Sequence, residues 1–298
     1  MRERFCAPRG VVGWSAALAA VALSAPIAGA VPVVVEATGT TAASITAARD
    51  QFRTDLGGGT TAGANGSFGG VRREINWDGT PAQFSAPNLL PADFFNVNSP
   101  RGAVFSTPGT GFEVSGATTD AGAGQPAAAN FGNINASYTS GFAPFSAQRL
   151  FTPLGSTTTD VNFFQAGTTT PATVSGFGAV FSDVDLTGQT RIDFFDAGNA
   201  LLFSRDVLAT PGAGTFSFLG VSFTTERVSR VRITTGNLEL GPNNVDNVSE
   251  DVVVMDDFIY SEPQAAAAIP LPAAPLMALA GAVPAGLLMS RWKRRGVF

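Results

Sequence analysis

The chain has 298 residues, no histidine, one cysteine and a net charge of −5. Without histidine or a second thiol, Ser-His-Asp and Cys-His nucleophiles and histidine- or thiolate-ligated zinc are excluded. The only lysine, Lys293, sits in the final residues, so lysine nucleophiles are excluded from everything before it.

From the N-terminus, Arg2, Arg4 and Arg9 precede an apolar stretch from Val11 to Leu23, and Ala28-Gly29-Ala30 follows. This is the layout of a secretory signal peptide over residues 1–30, with Ala28 and Ala30 as the small residues read by signal peptidase before cleavage at Val31. Cys6 falls within that leader, so the mature chain has no thiol and no disulfide. From residue 31 to 268, eleven arginines face twenty-two carboxylates, a net of −11. Such a segment disfavours nucleic acid, whose binding relies on cations that neutralise phosphates. It leaves carboxylates free for divalent cations.

Thr41 to Leu56 predicts a helix: Thr41 or Ser44 can cap it, Ile45, Ala48 and Phe52 recur at helical spacing, and Gly57-Gly58-Gly59 stops it. Its narrow apolar stripe is expected to pack on a sheet. Strands are expected over Val71 to Trp77, Ala103 to Ser106 and Gly111 to Ser115. The first ends in a dense polar-aromatic cluster of Arg72, Arg73, Glu74, Asn76, Trp77 and Asp78. Strand alternation sets Arg73, Ile75 and Trp77 on one face, so a ligand groove built on Arg73 and Trp77 is one reading. An Arg-Glu pair on an edge strand is the other, and the preferred one. Asp120 to Asn130, with Ala-Gly-Ala-Gly-Gln-Pro, reads as a loop or as a boundary between two halves.

The second half predicts seven strands at short intervals, over Val161 to Gln165, Ala172 to Val184, Thr190 to Phe195, Leu201 to Val207, Thr215 to Thr224, Val228 to Thr235 and Val252 to Tyr260. Asp196-Ala197-Gly198-Asn199 marks a tight hairpin. In Val231-Arg232-Ile233 the alternation puts the aliphatic residues inward and the arginines outward. The expected architecture is mainly β, an antiparallel, jelly-roll-like sandwich with one N-terminal helix. The 24 phenylalanines, against three tryptophans and two tyrosines, read chiefly as core.

Asp183 and Asp185 are two residues apart in Val-Phe-Ser-Asp-Val-Asp, so on a continuing strand both carboxylates share a face that a hard cation would stabilise. Asp256 and Asp257 follow Val252 to Met255; on a regular strand only one of them joins a given site, unless a bulge intervenes. These four aspartates are the candidate ligands of a structural calcium.

The last thirty residues carry three adjoining signals: Ile269-Pro270-Leu271-Pro272-Ala273, an uncharged run from Leu271 to Ser290, and the basic cluster Arg291, Lys293, Arg294 and Arg295. At ~1.5 Å per residue the run reaches ~30 Å as a helix, one hydrocarbon thickness. The cluster acts as a stop-transfer signal on the cytoplasmic side and leaves the rest outside. This tail resembles the PEP-CTERM sorting signal of Gram-negative bacteria, in the variant whose core reads Val/Ile-Pro-Leu-Pro-Ala, and the likeness covers about a tenth of the chain. The resemblance implies recognition by an exosortase-type membrane protease, transient residence in the inner membrane, and delivery to the cell surface or extracellular matrix, often alongside extracellular polysaccharide. Pro284 interrupts the run, and Gly296, Val297 and Phe298 trail after the cluster. The functional expectation is a non-catalytic exported protein that binds or scaffolds polysaccharide. A calcium-stabilised glycan-active enzyme and a purely structural surface protein are the alternatives.

Overall fold

The computed structural model describes residues 31–58, 70–118, 128–225 and 227–265. The expected signal peptide, the sorting motif, the apolar span 271–290 and the basic cluster lie outside them. Among the described residues no helix is long and apolar enough to cross a membrane.

In chain order, β1 (Val33–Gly39) leads into α1 (Ala42–Asp55), followed by β2 (Arg72–Ile75), the short α2 (Phe94–Val97), β3 (Ala103–Ser106), β4 (Gly111–Val114) and the single turn α3 (Tyr138–Gly141). Next come β5 (Phe151–Leu154), β6 (Thr158–Phe163), β7 (Ala172–Thr173), β8 (Gly176–Ser182), β9 (Arg191–Phe195) and β10 (Leu201–Asp206). The described chain closes with β11 (Phe216–Ser222), β12 (Arg230–Thr234), β13 (Val254–Ser261) and β14 (Gln264–Ala265).

These strands form two main antiparallel sheets. One has the order β1-β11-β8-β13-β5-β4, with β2 also paired to β13; the other runs β10-β9-β12-β6-β3. The protein is thus mainly β, as the sequence predicts. Strands on both sides of 119–127 share sheets, since β3 pairs with β6, β4 with β5 and β2 with β13. One apolar cluster draws on both layers, with Phe105, Val161, Phe163, Ile192, Phe194, Val231 and Ile233 from one and Phe151, Phe177, Phe181, Leu219, Val221, Met255 and Phe258 from the other. This is the packing of a β-sandwich.

Four of the pairings nest: β5 with β13, β6 with β12, β8 with β11, and β9 with β10. The chain between β5 and β13 therefore runs as one long hairpin folded back over itself, alternating between layers. The innermost turn, at Asp196, is the expected one: Asp196 Oδ1 accepts the amides of Gly198 and Ala200 at 2.8 and 2.9 Å, and Asn199 takes φ +63°. On β12, Val231 and Ile233 are buried, while Arg230 and Arg232 both pair with Asp160 at 2.8 Å.

Register also fixes which end of the first sheet each loop occupies. Val33 lies opposite Ser222, Ser222 opposite Gly176, and Tyr260 opposite Phe177, so the chain enters β1 and leaves β13 at the same end. At the other end Gly39, Phe216, Ser182 and Val254 are aligned. Seven residues of β8 separate the two ends, or ~20 Å of extended chain.

Helix α1 covers the outer face of this sheet. Its N-cap is Thr41, whose hydroxyl bonds Ser44 Oγ at 3.0 Å instead of a helix amide. Ile45, Phe52 and the C-cap Leu56 pack on Val180, Phe216, Phe218 and Ile259. The Phe52 ring lies over two cross-strand partners, Gly178 and Gly220; a Cβ on either would stand 2.8 and 2.6 Å from it. Gly220→Ala is expected to push the helix off the sheet and to destabilise the fold by about 1–3 kcal/mol, the usual cost of overpacking. Urea unfolding of the variant against wild type measures it.

Candidate functional site

Strand β8 stops at Ser182 because the next residue, Asp183, takes a left-handed backbone with φ +72°. That turn sends Asp183 and Asp185 into the end of the sandwich opposite the chain's entry and exit. Both line a pocket of about 220 Å³ with Asp246, Ser137 and Ser140. The two aspartates do converge, through a turn and not through the continuing strand that the sequence suggested.

The connection between β12 and β13 supplies the rest of the acidic surface. Asp251 spends both carboxylate oxygens on the amides of Asp185 and Leu186, each at 3.1 Å. Asp246 Oδ1 accepts the Val252 amide at 2.5 Å, and Asp185 Oδ1 accepts the Gly212 amide at 2.8 Å. These bonds lock three loops to one another and fix the direction of each carboxylate. The second oxygens of Asp185 and Asp246 are not used by those amides.

Asp183 is 3 % exposed, and its Oδ1 is buried without a hydrogen-bond partner. Burial raises its pKa to about 8, helped by the negative charges of Asp246, Asp185 and Asp251. Burial likewise lifts Asp251 to about 6 and pushes Asp246 up. None of the residues lining the pocket is a cation. Asp246 and Asp251 were not singled out in the sequence, because they stand in a loop of polar residues with no strand periodicity; only the fold brings them to Asp183.

Asp256 and Asp257 belong to a different group. A bulge intervenes between Met255 and Phe258, where two β13 residues oppose Val180 alone on β8. Asp256, fully buried, accepts the amides of Phe145 and Ser146 at 2.6 and 3.2 Å. The Ser146 hydroxyl donates to Asp257 Oδ1 at 2.8 Å, and Asp78 Oδ1 accepts the amides of Gln148 and Arg149. Asp256 and Asp257 thus bind Phe145 and Ser146 to β13, while Asp78, just beyond β2, holds Gln148 and Arg149. The expectation of one calcium shared among Asp183, Asp185, Asp256 and Asp257 is therefore corrected: the four split into two groups with separate partners, and the second has its oxygens occupied by amides and a hydroxyl.

The expected groove on Arg73 and Trp77 is corrected as well. Strand β2 ends at Ile75, and Trp77, with φ +66°, leaves the alternation and enters the core at 1 % exposure. Its ring stacks on Phe151 at 4.0 Å, with Phe95 and Phe258 edge-on, and its Nε1 donates to the Asp256 carbonyl at 3.1 Å. A stacking platform needs an exposed face, and this ring has none. Arg73, 2 % exposed, donates from Nε and a terminal nitrogen to the two oxygens of buried Glu262, at 2.5 and 2.8 Å. That bidentate pair ties β2 to the chain leaving β13. The alternative Arg-Glu pair is present too, Arg72 Nε to Glu74 Oε1 at 2.8 Å, with Glu74 also paired to Arg53 of α1.

No protein-family model, no curated protein and no solved structure matches this chain.

The buried Asp256 and Asp257 carry a pH signature. Burial, then the neighbouring charge of Asp257, with a further contribution from Asp78, holds Asp256 well above its ordinary 3.8; burial also raises Asp257, with Glu74 adding negative charge, against the Ser146 hydrogen bond and the pull of Arg49, 4.0 Å away. A raised folded-state pKa means that the native state retains a proton the unfolded chain has lost. This stability contribution is therefore complete below about pH 4 and declines as pH rises towards the folded value, by at most about 1.4 kcal/mol per pH unit for one proton. Asp256→Asn mimics the protonated form: its oxygen can face the Phe145 and Ser146 amides and its nitrogen Asp257. Unfolding free energies measured from pH 4 to 8 are expected to fall less steeply in this variant than in wild type; parallel slopes would exclude Asp256 as the source.

Proposed function

We propose that this chain is an exported protein, sorted to the cell surface or extracellular matrix by an exosortase-type route, and that its sandwich binds or scaffolds extracellular polysaccharide without catalysis. The observation that carries this reading is the position of the two chain exits. The segment following the Ala28-Gly29-Ala30 site and the segment running towards Ile269-Pro270-Leu271-Pro272-Ala273 leave the same end of one sheet, which is compatible with a domain held at that end by its tail. The acidic pocket then faces away from the tether. The nested strand pairings, with the spatial orders β5-β13-β8-β11 and β6-β12-β9-β10, support reading the sandwich as a jelly roll; such an architecture suits a small display module built without disulfides. The absence of histidine and of mature cysteine supports a binding role over an enzymatic one.

Two measurements on the protein from its own cells test the proposal. Mass spectrometry of the surface fraction is expected to find the N-terminus at Val31 and the tail processed near Ile269. The same material is expected to co-sediment with the cells' extracellular polysaccharide and to release no reducing sugar from it. Full-length, unprocessed protein in the cytosol would contradict the export reading. Processed protein that leaves the polysaccharide untouched in sedimentation would contradict the binding reading, and sugar release would replace it with the glycan-active alternative.

A further inference from the structure

The carboxylate pocket at the end of β8 has an electrostatic imbalance that the fold itself does not relieve. Asp183 is almost wholly buried, its Oδ1 makes no hydrogen bond, and it faces a cavity shared with Asp185 and Asp246 and free of arginine. A buried carboxylate oxygen without a donor costs free energy wherever it is ionised. The surrounding chain is nevertheless built to hold the acids there: Asp251 clamps the Asp185 and Leu186 amides, Gly212 fixes Asp185, and Val252 fixes Asp246. Asp183, Asp185 and Asp246 bring hard, anionic oxygens to a space large enough for an ion and several waters.

We propose that this pocket is a calcium site, with the carboxylates of Asp183 and Asp246 as direct ligands. The Asp246 carboxyl lies within hydrogen-bonding reach of Asp183, so the two are close enough to ligate one ion. Among the described residues no three acidic side chains are spaced to enclose an ion by themselves. The shell is therefore two carboxylates completed by water and by the hydroxyls of Ser137 and Ser140, with Asp185 reached through a water molecule. Calcium accepts such an irregular set of six to eight oxygens, whereas magnesium demands a tight octahedron. A shell with few protein ligands places the affinity in the weak range of extracellular modules, a Kd of about 10⁻⁴ to 10⁻³ M. The site stands on its own geometry and does not depend on the proposed polysaccharide role.

Isothermal titration of calcium chloride into the full chain, solubilised in detergent and stripped with chelator, tests it. Wild type is expected to bind with saturation in that range and to melt several degrees higher in 10 mM calcium. Asp246→Asn is expected to weaken binding at least tenfold, and Asp183→Asn to abolish it. Asp256→Asn, in the other carboxylate group, is expected to bind as wild type does. Because Asp183 is buried and its variant can fail to fold, the half-exposed Asp246 carries the decision, with circular dichroism confirming its fold. A flat wild-type titration up to 10 mM calcium overturns the proposal, as does an Asp246→Asn protein that titrates like wild type.

Discussion

Strand β13 is the element on which the rest of this sandwich depends. All eight of its residues are buried. One edge pairs with β8 and the other is divided between β2 and β5, so segments from the beginning and the middle of the chain meet on this late strand. Without β13 the first sheet would separate into β1-β11-β8 and β5-β4, and β2 would have no partner. A chain without disulfides gains its long-range order through such a strand, because the pairing of distant segments must be secured by buried apolar area together with buried polar ties such as Arg73 to Glu262. The Trp77, Phe151 and Phe258 rings supply that area where β2, β5 and β13 come together.

The carboxylates gather at two places along this architecture, and their surroundings give them different work. At the β13 bulge, Asp256 and Asp257 are met by amides, a hydroxyl and, at a distance, Arg49, so their charge is spent inside the protein on holding the 145–149 segment. At the end of β8, Asp183 and Asp246 face a cavity with no cation in its lining. A carboxylate surrounded by donors is structural reinforcement, whereas the Asp183 Oδ1, buried without a donor, is the atom on which the calcium proposal rests. Residue type does not separate the two cases; the count of donors around each oxygen does.

The parts of the fold that were legible in the sequence are those governed by local periodicity. Ile45, Ala48 and Phe52 at helical spacing gave α1 and its apolar face, and Val231 and Ile233 gave the orientation of β12. Turn chemistry at Asp196 to Asn199 gave the β9-β10 hairpin. Other elements depend on distant partners. Strand β5 contains Pro153, which argues against a central strand; it is accommodated because β13 pairs with β5 only at Phe151, leaving the proline outside that ladder. Strand β1 begins two residues after the expected leader, where its valines merge with the apolar run before them. Trp77 was assigned to a strand face by alternation, but a left-handed backbone at that one residue turned it into the core. Asp183 and Asp185 line one pocket through a left-handed turn that strand alternation does not describe, while Asp246 and Asp251 became visible only when the long β12-β13 connection was folded back on them.

Native-state hydrogen exchange tests the central claim most directly, since it reports the opening free energy of each strand. If β13 is the spine, the amides of Val254 to Ser261 that bond to β8 and β2 exchange with the slowest group, together with β8, and only through global unfolding, while edge strand β10 exchanges sooner. Exchange of β13 as fast as β10, or protection of β2 to β4 that persists after β8 and β13 have exchanged, would contradict a single sandwich organised around β13.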